Sequence, residues 1–348
     1  MSEIQYVPIL KWKKGERLAL ENLTKSHKQE ISPLLELVND DEETKIIDTF
    51  VAHLQHYPLY IDTRYLENED NDLLFSLINT DISAEHNIYP VLYPDDFPEY
   101  ANKFVGITDK VLVRIPVPED IDSEGYDAIF SEISEWEEVN SIDIDLLLDL
   151  GLITEKATAS LQYQEVKQLF RAYITKYNIF KSIIIASNSF PEKMDNLSAG
   201  EDLFVNRYEM KIFKKIANNQ EFESLQEKLI YSDYGVTKYT DTELDFSRLK
   251  YGPLPKARYT LENKYWILKG SKNRKTNQWT RGAKSLAEDI YNSEHYYGEH
   301  FSFGDLEIKE RALNQNNKGP GNSTNWVTIA ANHHIAVVLG QLSTLGEI

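Results

Sequence analysis

The sequence predicts an α/β fold: a (β/α)8 TIM-like barrel followed by a C-terminal α+β extension. Three observations lead there. Eight short apolar or β-branched runs recur with starts about 20 to 50 residues apart, the rhythm of βα units. Amphipathic stretches of helical period separate them, and such alternation argues for a parallel sheet. No Gly-rich nucleotide turn accompanies the runs, which favours a closed barrel over an open doubly wound sheet.

The runs, in order, are Tyr6–Leu10, Ile31–Val38, Pro58–Asp62, Ile88–Tyr93, Val111–Pro116, Ser141–Leu146, Ser182–Ser187 and Leu229–Tyr234. Helices are expected between them at Gly15–Lys28, Glu42–Gln55, Asn71–Asn79, Phe97–Phe104, Glu119–Glu137, Ala157–Tyr177 and Leu203–Asn218. After Lys250 the pattern changes. Ala257–Thr260 and Lys264–Lys269 flank Leu261–Glu262–Asn263 as a hairpin. Ala283–Asn292 reads as a helix, Asn314–Ser323 as an Asn-, Gly- and Pro-rich loop, and Asn325–Leu339 as a buried strand or helix. The chain therefore divides into a barrel, residues 1–250, and an extension, residues 251–348, expected to pack on the barrel.

Composition narrows the function. In 348 residues, 37 Lys and Arg face 56 Asp and Glu, a net charge of −19, which excludes a globally basic nucleic-acid coat protein. There is no cysteine, so disulfide frameworks, thiolate zinc sites and cysteine nucleophiles drop out. The start of the chain does not read as a signal peptide, and apolar runs such as Ile183–Ala186 are far shorter than the roughly 20 residues of a membrane helix. The expectation is a soluble, cytoplasmic protein with no membrane partner. Charge is uneven: residues 251–348 sum to +3, leaving −22 for residues 1–250.

In a (β/α)8 barrel the active site lies at the C-terminal ends of the strands. The residues expected there are Lys11, Glu36, Asp62, Arg114, Asp145 and Asp233, with Ser187–Asn188–Ser189 after the seventh strand. Charges are costly inside a barrel unless paired or functional, so this ring is the main functional signal; a set of solvated rim residues is the plain alternative. A second signal is Asn332–His333–His334, with Asp305 in Phe301–Ser302–Phe303–Gly304–Asp305. A histidine with a carboxylate serves acid–base work or metal binding, and Gly304 suggests a tight turn presenting Asp305. A packed, structural histidine is the plain alternative. The third signal runs from Lys256 to Arg281, with eight basic residues, one acid and the interleaved rings Tyr259, Tyr265, Trp266 and Trp279. Cations between aromatic rings suit phosphate and base-stacking contacts, against a plain reading as a solvated hairpin. A P-loop, GxGxxG, HExxH and GxSxG are all missing.

Several motifs together resemble a family. They include Val7–Pro8–Ile9–Leu10–Lys11 with Gly15–Glu16, Pro33–Leu34–Leu35–Glu36, Ser189–Phe190–Pro191, Arg207–Tyr208–Glu209, Asp233–Tyr234–Gly235, Arg258–Tyr259–Thr260, Lys269–Gly270, Phe301–Asp305, Gly321–Asn322, Trp326 and Asn332–His333–His334. Their order and spacing resemble the phage and bacterial "beta protein" family over nearly the whole chain. The resemblance implies a phage-linked or mobile-element setting, with phage defence or counter-defence as the expected role. It also implies that Arg207, Glu209, Asp233, Tyr259, Lys269, Asp305, His333 and His334 belong to the family pattern. It brings no activity with it.

The leading expectation is a hydrolase or phosphodiesterase-like enzyme on an anionic, phosphate-bearing substrate, either a small molecule or nucleic acid. Glu36, Asp62, Asp145 and Asp233 would hold Mg²⁺ or Mn²⁺, which prefer oxygen ligands. Asp305, His333, His334 and Asp233 would be catalytic. Lys11, Arg207, Tyr259, Lys269 and Ser189 would bind substrate. The alternative is a barrel without catalysis that binds a protein partner through its acidic body. Convergence of the carboxylates in one pocket favours the first, and their dispersal or neutralisation by Lys11 and Arg114 favours the second.

Overall fold

A computed structural model gives the structure of the protein and describes residues 4–38, 58–64, 66, 71–80, 86–117, 123–192, 194, 196–237, 254–273 and 275–345. The elements in chain order are β1 (Tyr6–Lys11), α1 (Lys14–Glu21), α2 (Lys25–Glu30), β2 (Leu34–Glu36), β3 (Leu59–Asp62), α3 (Asn71–Ile78), β4 (Ile88–Leu92), β5 (Lys110–Pro116), α4 (Ser123–Asn140), β6 (Asp143–Leu152), α5 (Lys156–Leu169), β7 (Phe180–Asn188), β8 (Asp202–Asn206), α6 (Tyr208–Ala217), β9 (Leu229–Asp233), β10 (Lys256–Thr260), β11 (Lys264–Lys269), β12 (Ser271–Lys272), β13 (Trp279–Arg281), α7 (Ala283–Tyr291), α8 (Phe303–Ala312) and α9 (Ser323–Ser343). They form two units. The first comprises Met1–Trp12, Lys28–Ser189 and Tyr208–Tyr234, and the second Lys13–His27, Phe190–Arg207 and Gly235–Ile348.

The first unit is the expected closed parallel barrel, in the order β1-β2-β3-β4-β5-β6-β7-β9, with β9 returning to β1 through Tyr6↔Tyr231 and Pro8↔Asp233. Strands such as Leu146–Leu147–Leu148 and Ile183–Ile184–Ile185 are apolar at every position because both faces of the sheet are covered. The register aligns Lys11, Glu36 and Asp62, the last residues of the first three strands, side by side.

Several expectations change: Gly15–Lys28 divides into α1 and α2, and the strand expected at Ser141–Leu146 runs on to Leu152. The predicted helix Phe97–Phe104 is instead two 3₁₀ turns, Pro94–Asp96 and Ala101–Phe104. Ile31–Val38 shortens to Leu34–Glu36, beginning directly after Pro33. Leu203–Asn218 divides into β8 and α6, because β8 pairs antiparallel with β11 from Leu203↔Ile267 to Asn206↔Lys264. That distant pairing overrides local helix preference. The helix expected at Glu42–Gln55 lies outside the described residues.

In the second unit β10-β11-β8 form an antiparallel sheet, and β12 and β13 a ribbon. The hairpin is as expected, with Tyr259↔Trp266 in register. The last apolar segment is a helix, α9, started by a reciprocal capping pair: Asn325 N–H donates to Asn322 Oδ1 and Asn322 N–H to Asn325 Oδ1, both at 3.0 Å. Its length is buried from Ile329 to Leu339. Thr328 donates to Gly15 O at 2.9 Å and Asn332 to Ala19 O at 3.0 Å, tying α1 to α9.

Gly304 does not form the turn expected of it. Ser302 caps α8, and Gly304 sits in the first turn where α8 meets α9. A Cβ there would lie 2.4 Å from Ile329 O. Gly304→Ala is therefore expected to cost about 3 kcal/mol, the upper end of overpacking in a filled core. The reading is a lower urea midpoint at unchanged slope; an unchanged midpoint would mean that the two helices separate at little cost.

Candidate functional site

The strand ends of the barrel gather a charged cluster around Arg114, which is 1% exposed. Its Nη1 donates to Glu36 Oε1 at 3.0 Å and to Asp62 Oδ2 at 2.8 Å. Its Nε and Nη2 donate to Asp149 Oδ2 at 3.1 and 2.7 Å. Lys11 Nζ lies 3.6 Å from Glu36 Oε2. Tyr93 donates to Asp62 at 2.7 Å, and the Tyr234 hydroxyl contacts both Asp149 and Arg114. Four of the six predicted ring residues thus meet: Lys11, Glu36, Asp62 and Arg114. Burial opposes the Arg114 charge, but Asp149, Glu36 and the phenols Tyr234 and Tyr93 outweigh it and hold the guanidinium proton more tightly than usual.

Asp145 and Asp233 stand apart from this cluster. Asp145 precedes Asp149 by four residues on β6, about 13 Å nearer the strand's N-terminal end. It accepts from Tyr60 at 2.7 Å and pairs with Lys110 at 3.0 Å. Asp233 accepts from Tyr6 at 2.6 Å and Tyr231 at 2.7 Å. Of the four acids expected to hold Mg²⁺ or Mn²⁺, Glu36 and Asp62 share Arg114, while Asp145 and Asp233 each have partners of their own. Among the described residues no group of three or more histidines and carboxylates is placed to hold a metal ion. The donor set does not fit the group expected of it, and no chemical step is derived through a metal.

A regularity emerges that the sequence reading missed. Asp62, Asp145, Asp149 and Asp233 each accept a hydrogen bond from a tyrosine hydroxyl. A phenol satisfies a buried carboxylate without adding charge, and such bonds strengthen in a low-dielectric interior. Glu36 is the exception. Arg114 holds one oxygen, while Oε2, buried, takes no hydrogen bond among the described residues. Burial raises the Glu36 pKa, with Asp62 adding to the rise and Arg114 and Lys11 opposing it. Two sequence signals pointed this way: 21 tyrosines, and the shared parity of Asp145 and Asp149, which places both on one face of β6. Ending that strand at Leu146 hid the second.

The other predicted residues have structural partners. Ser189 Oγ accepts from the Tyr208 and Glu209 amides at 2.9 and 3.3 Å, capping α6 from the end of β7. In the second unit Arg207 donates to Leu261 O at 3.2 Å and Gln341 Oε1 at 2.9 Å, linking the hairpin turn to α9. Lys269 donates to Leu197 O at 2.6 Å. Tyr259 donates to Asp305 Oδ1 at 2.6 Å and stacks on His333, ring centres 3.9 Å apart. His333 Nδ1 lies 2.8 Å from Asp305 Oδ2 and its Nε2 2.8 Å from Thr260 O. His334 Nδ1 lies 2.9 Å from Thr260 Oγ1. A carbonyl only accepts, so the contact with Thr260 O calls for the proton on His333 Nε2. Both histidines are fully buried on α9.

Fold and site together define a (β/α)8-barrel protein with a buried cationic centre among strand-end acids. The chain belongs to the Beta protein family, whose model matches residues 6–340. It is also similar to the chromosomal replication initiator protein DnaA of Aquifex aeolicus (strain VF5), 23% identical over 221 residues. That match covers 58% of this chain and 50% of the relative, so the chain spans about half the relative's length. A solved structure described as "The crystal structure of AsfvAP:AG" aligns over 68% of this chain and 93% of its own, at 11% identity and a TM-score of 0.32, too low to bear on the fold. Among the described residues no helix is long and apolar enough to cross a membrane.

Proposed function

We propose that the barrel is a hydrolase-type enzyme in which Glu36 carries the proton and Lys11 faces the anionic, phosphate-bearing substrate, with no metal on the four predicted acids. One observation carries the reading: of the acids in the strand-end network, Glu36 alone has a buried oxygen, Oε2, free of hydrogen bonds, and it faces Lys11. Leaving such an oxygen unbonded is costly, and a working role accounts for it. A carboxyl whose pKa is raised by burial can serve as a general acid towards neutral pH. Lys11 supplies positive charge beside it.

The phage-linked setting that the family resemblance implies, with phage defence or counter-defence as the expected role, puts nucleotides and nucleic acids first among substrates to try. The test is hydrolysis of phosphate mono- and diesters in EDTA by wild type and Glu36→Gln. Turnover is expected to resist EDTA and to fall by about 100-fold in the variant, the usual weight of a general acid.

Stability supplies a second readout. Because the folded-state pKa of Glu36 is raised, its stabilising share is present at low pH and is lost as pH rises above its ordinary value of 4.5. Glu36→Gln removes that loss, so the variant should melt at or above the wild-type temperature at pH 7. A variant melting well below wild type from pH 5 to 8 would mark Glu36 as a structural ion pair and end the proposal.

A further inference from the structure

The second unit contains a cleft of about 1040 Å³ that the barrel chemistry does not use. Ligand pockets for small molecules have this order of size. Lys256, Arg258, Lys269 and Lys284 line it, together with Trp279 and Trp326, and among the described residues no acidic side chain does. In a chain of net charge −19 such a wall is a local reversal of sign. Cationic walls without acids concentrate anions.

Arg258 makes the wall specific. Its single hydrogen bond runs from Nη1 to Val236 O at 2.9 Å, its guanidinium lies 5.3 Å from the centre of the Phe190 ring, and it joins no ion pair among the described residues. Burial weakens its hold on its proton, and only the field of Glu16 opposes this. An unpaired guanidinium of this kind is suited to phosphate, which it can meet with two parallel N–H groups. Among the described residues its remaining donors have no acceptor.

Two further features give the ligand its shape. Gly282, Ala283, Lys284 and Ser285, the start of α7, lie in the cleft wall, and the N-cap Gly282 offers no side-chain cap to the first-turn amides. Those N–H groups are left for an acceptor. Trp279, 49% exposed, presents an indole in the same wall, with Lys272 Nζ 3.9 Å from its ring centre. A base or other flat ring stacks on such a surface.

We propose that this cleft binds a nucleoside di- or triphosphate, its phosphates on Arg258, Lys284 and the first turn of α7, and its base against Trp279. The barrel reading and this one fail separately, since the first is read by turnover and the second by binding. The experiment is calorimetric titration of the whole protein with ADP, ATP, inorganic pyrophosphate, a nucleoside without phosphate and a short oligothymidine. The probes are repeated on Arg258→Met, Lys284→Gln and Trp279→Ala.

ADP or ATP is expected to bind one site, the nucleoside far more weakly, and Arg258→Met to weaken binding at least tenfold. Lys284→Gln, at a partly exposed position, should weaken binding of nucleotide and pyrophosphate alike without a folding defect. Trp279→Ala should weaken nucleotide but spare pyrophosphate. Wild-type nucleotide affinity in both the Arg258 and Lys284 variants would overturn the proposal, as would the absence of nucleotide binding at millimolar concentration. Binding of the oligothymidine without binding of either mononucleotide would overturn it in favour of a single-stranded nucleic acid.

Discussion

Arg114→Met is expected to destabilise the barrel by about 3–5 kcal/mol, the cost of breaking a buried ion-pair network by removing one partner. The residue is buried and bonded to Glu36, Asp62 and Asp149. Methionine fills similar volume but leaves three carboxylates in a low-dielectric interior, where their mutual repulsion is poorly screened. The measurement is the urea midpoint at a series of pH values. The deficit should shrink as pH falls and the carboxylates take up protons. Adding Asp149→Asn and Asp62→Asn to the variant should restore part of the loss at pH 7. A single variant within about 1 kcal/mol of wild type at pH 7, the range of an exposed pair, would show that the acids do not depend on Arg114.

Asp305→Ala is expected to cost the second unit a similar amount, about 3–5 kcal/mol, as for other buried charged networks deprived of one partner. Asp305 accepts hydrogen bonds from Tyr259 and Ser302, lies 2.8 Å from His333 Nδ1, and is fully buried. Without it, Tyr259 loses its acceptor, the cap of α8 loses a contact, and the His333 imidazole keeps only Thr260 O. Asp305→Asn should cost less, because the amide oxygen still accepts while the charge is gone. The check is the order of the urea midpoints: wild type, then Asn, then Ala. Equal midpoints for all three would mean that the carboxylate stabilises nothing, and would return it to the catalytic role expected from the sequence.

The barrel was legible because periodicity is a local property. Stretches such as Val111–Val113 and Ile183–Ala186 are apolar at every position, and helical stretches lie between the strands. A strand buried on both faces cannot be written otherwise, so its place in a parallel sheet shows in the string. Lys11, Glu36 and Asp62 were found together for the same reason: each is the last residue of its strand, and parallel register brings strand ends to one level. Local pattern misled where partners are distant. Residues 203–206 read as helix because β11, which draws them into a sheet, lies some sixty positions away. Gly304 read as a turn because nothing nearby reveals that Ile329 O occupies the space its side chain would need.

Chain order therefore settled which elements form and which charged residues stand at the strand ends, since both follow from residue type and spacing. Which acids meet was decided only in three dimensions. Asp145 and Asp149 share a face of one strand, yet the first answers to Tyr60 and Lys110 and the second to Arg114 and Tyr234. The same holds for Arg258, whose basic neighbourhood was visible in the string but whose lack of an ion pair among the described residues was not. Hydrogen bonds and ion pairs act over a few ångströms, and in the barrel they join residues as far as 227 positions apart, as Tyr6 and Asp233 are. Closure of the barrel is what brings such residues within that reach.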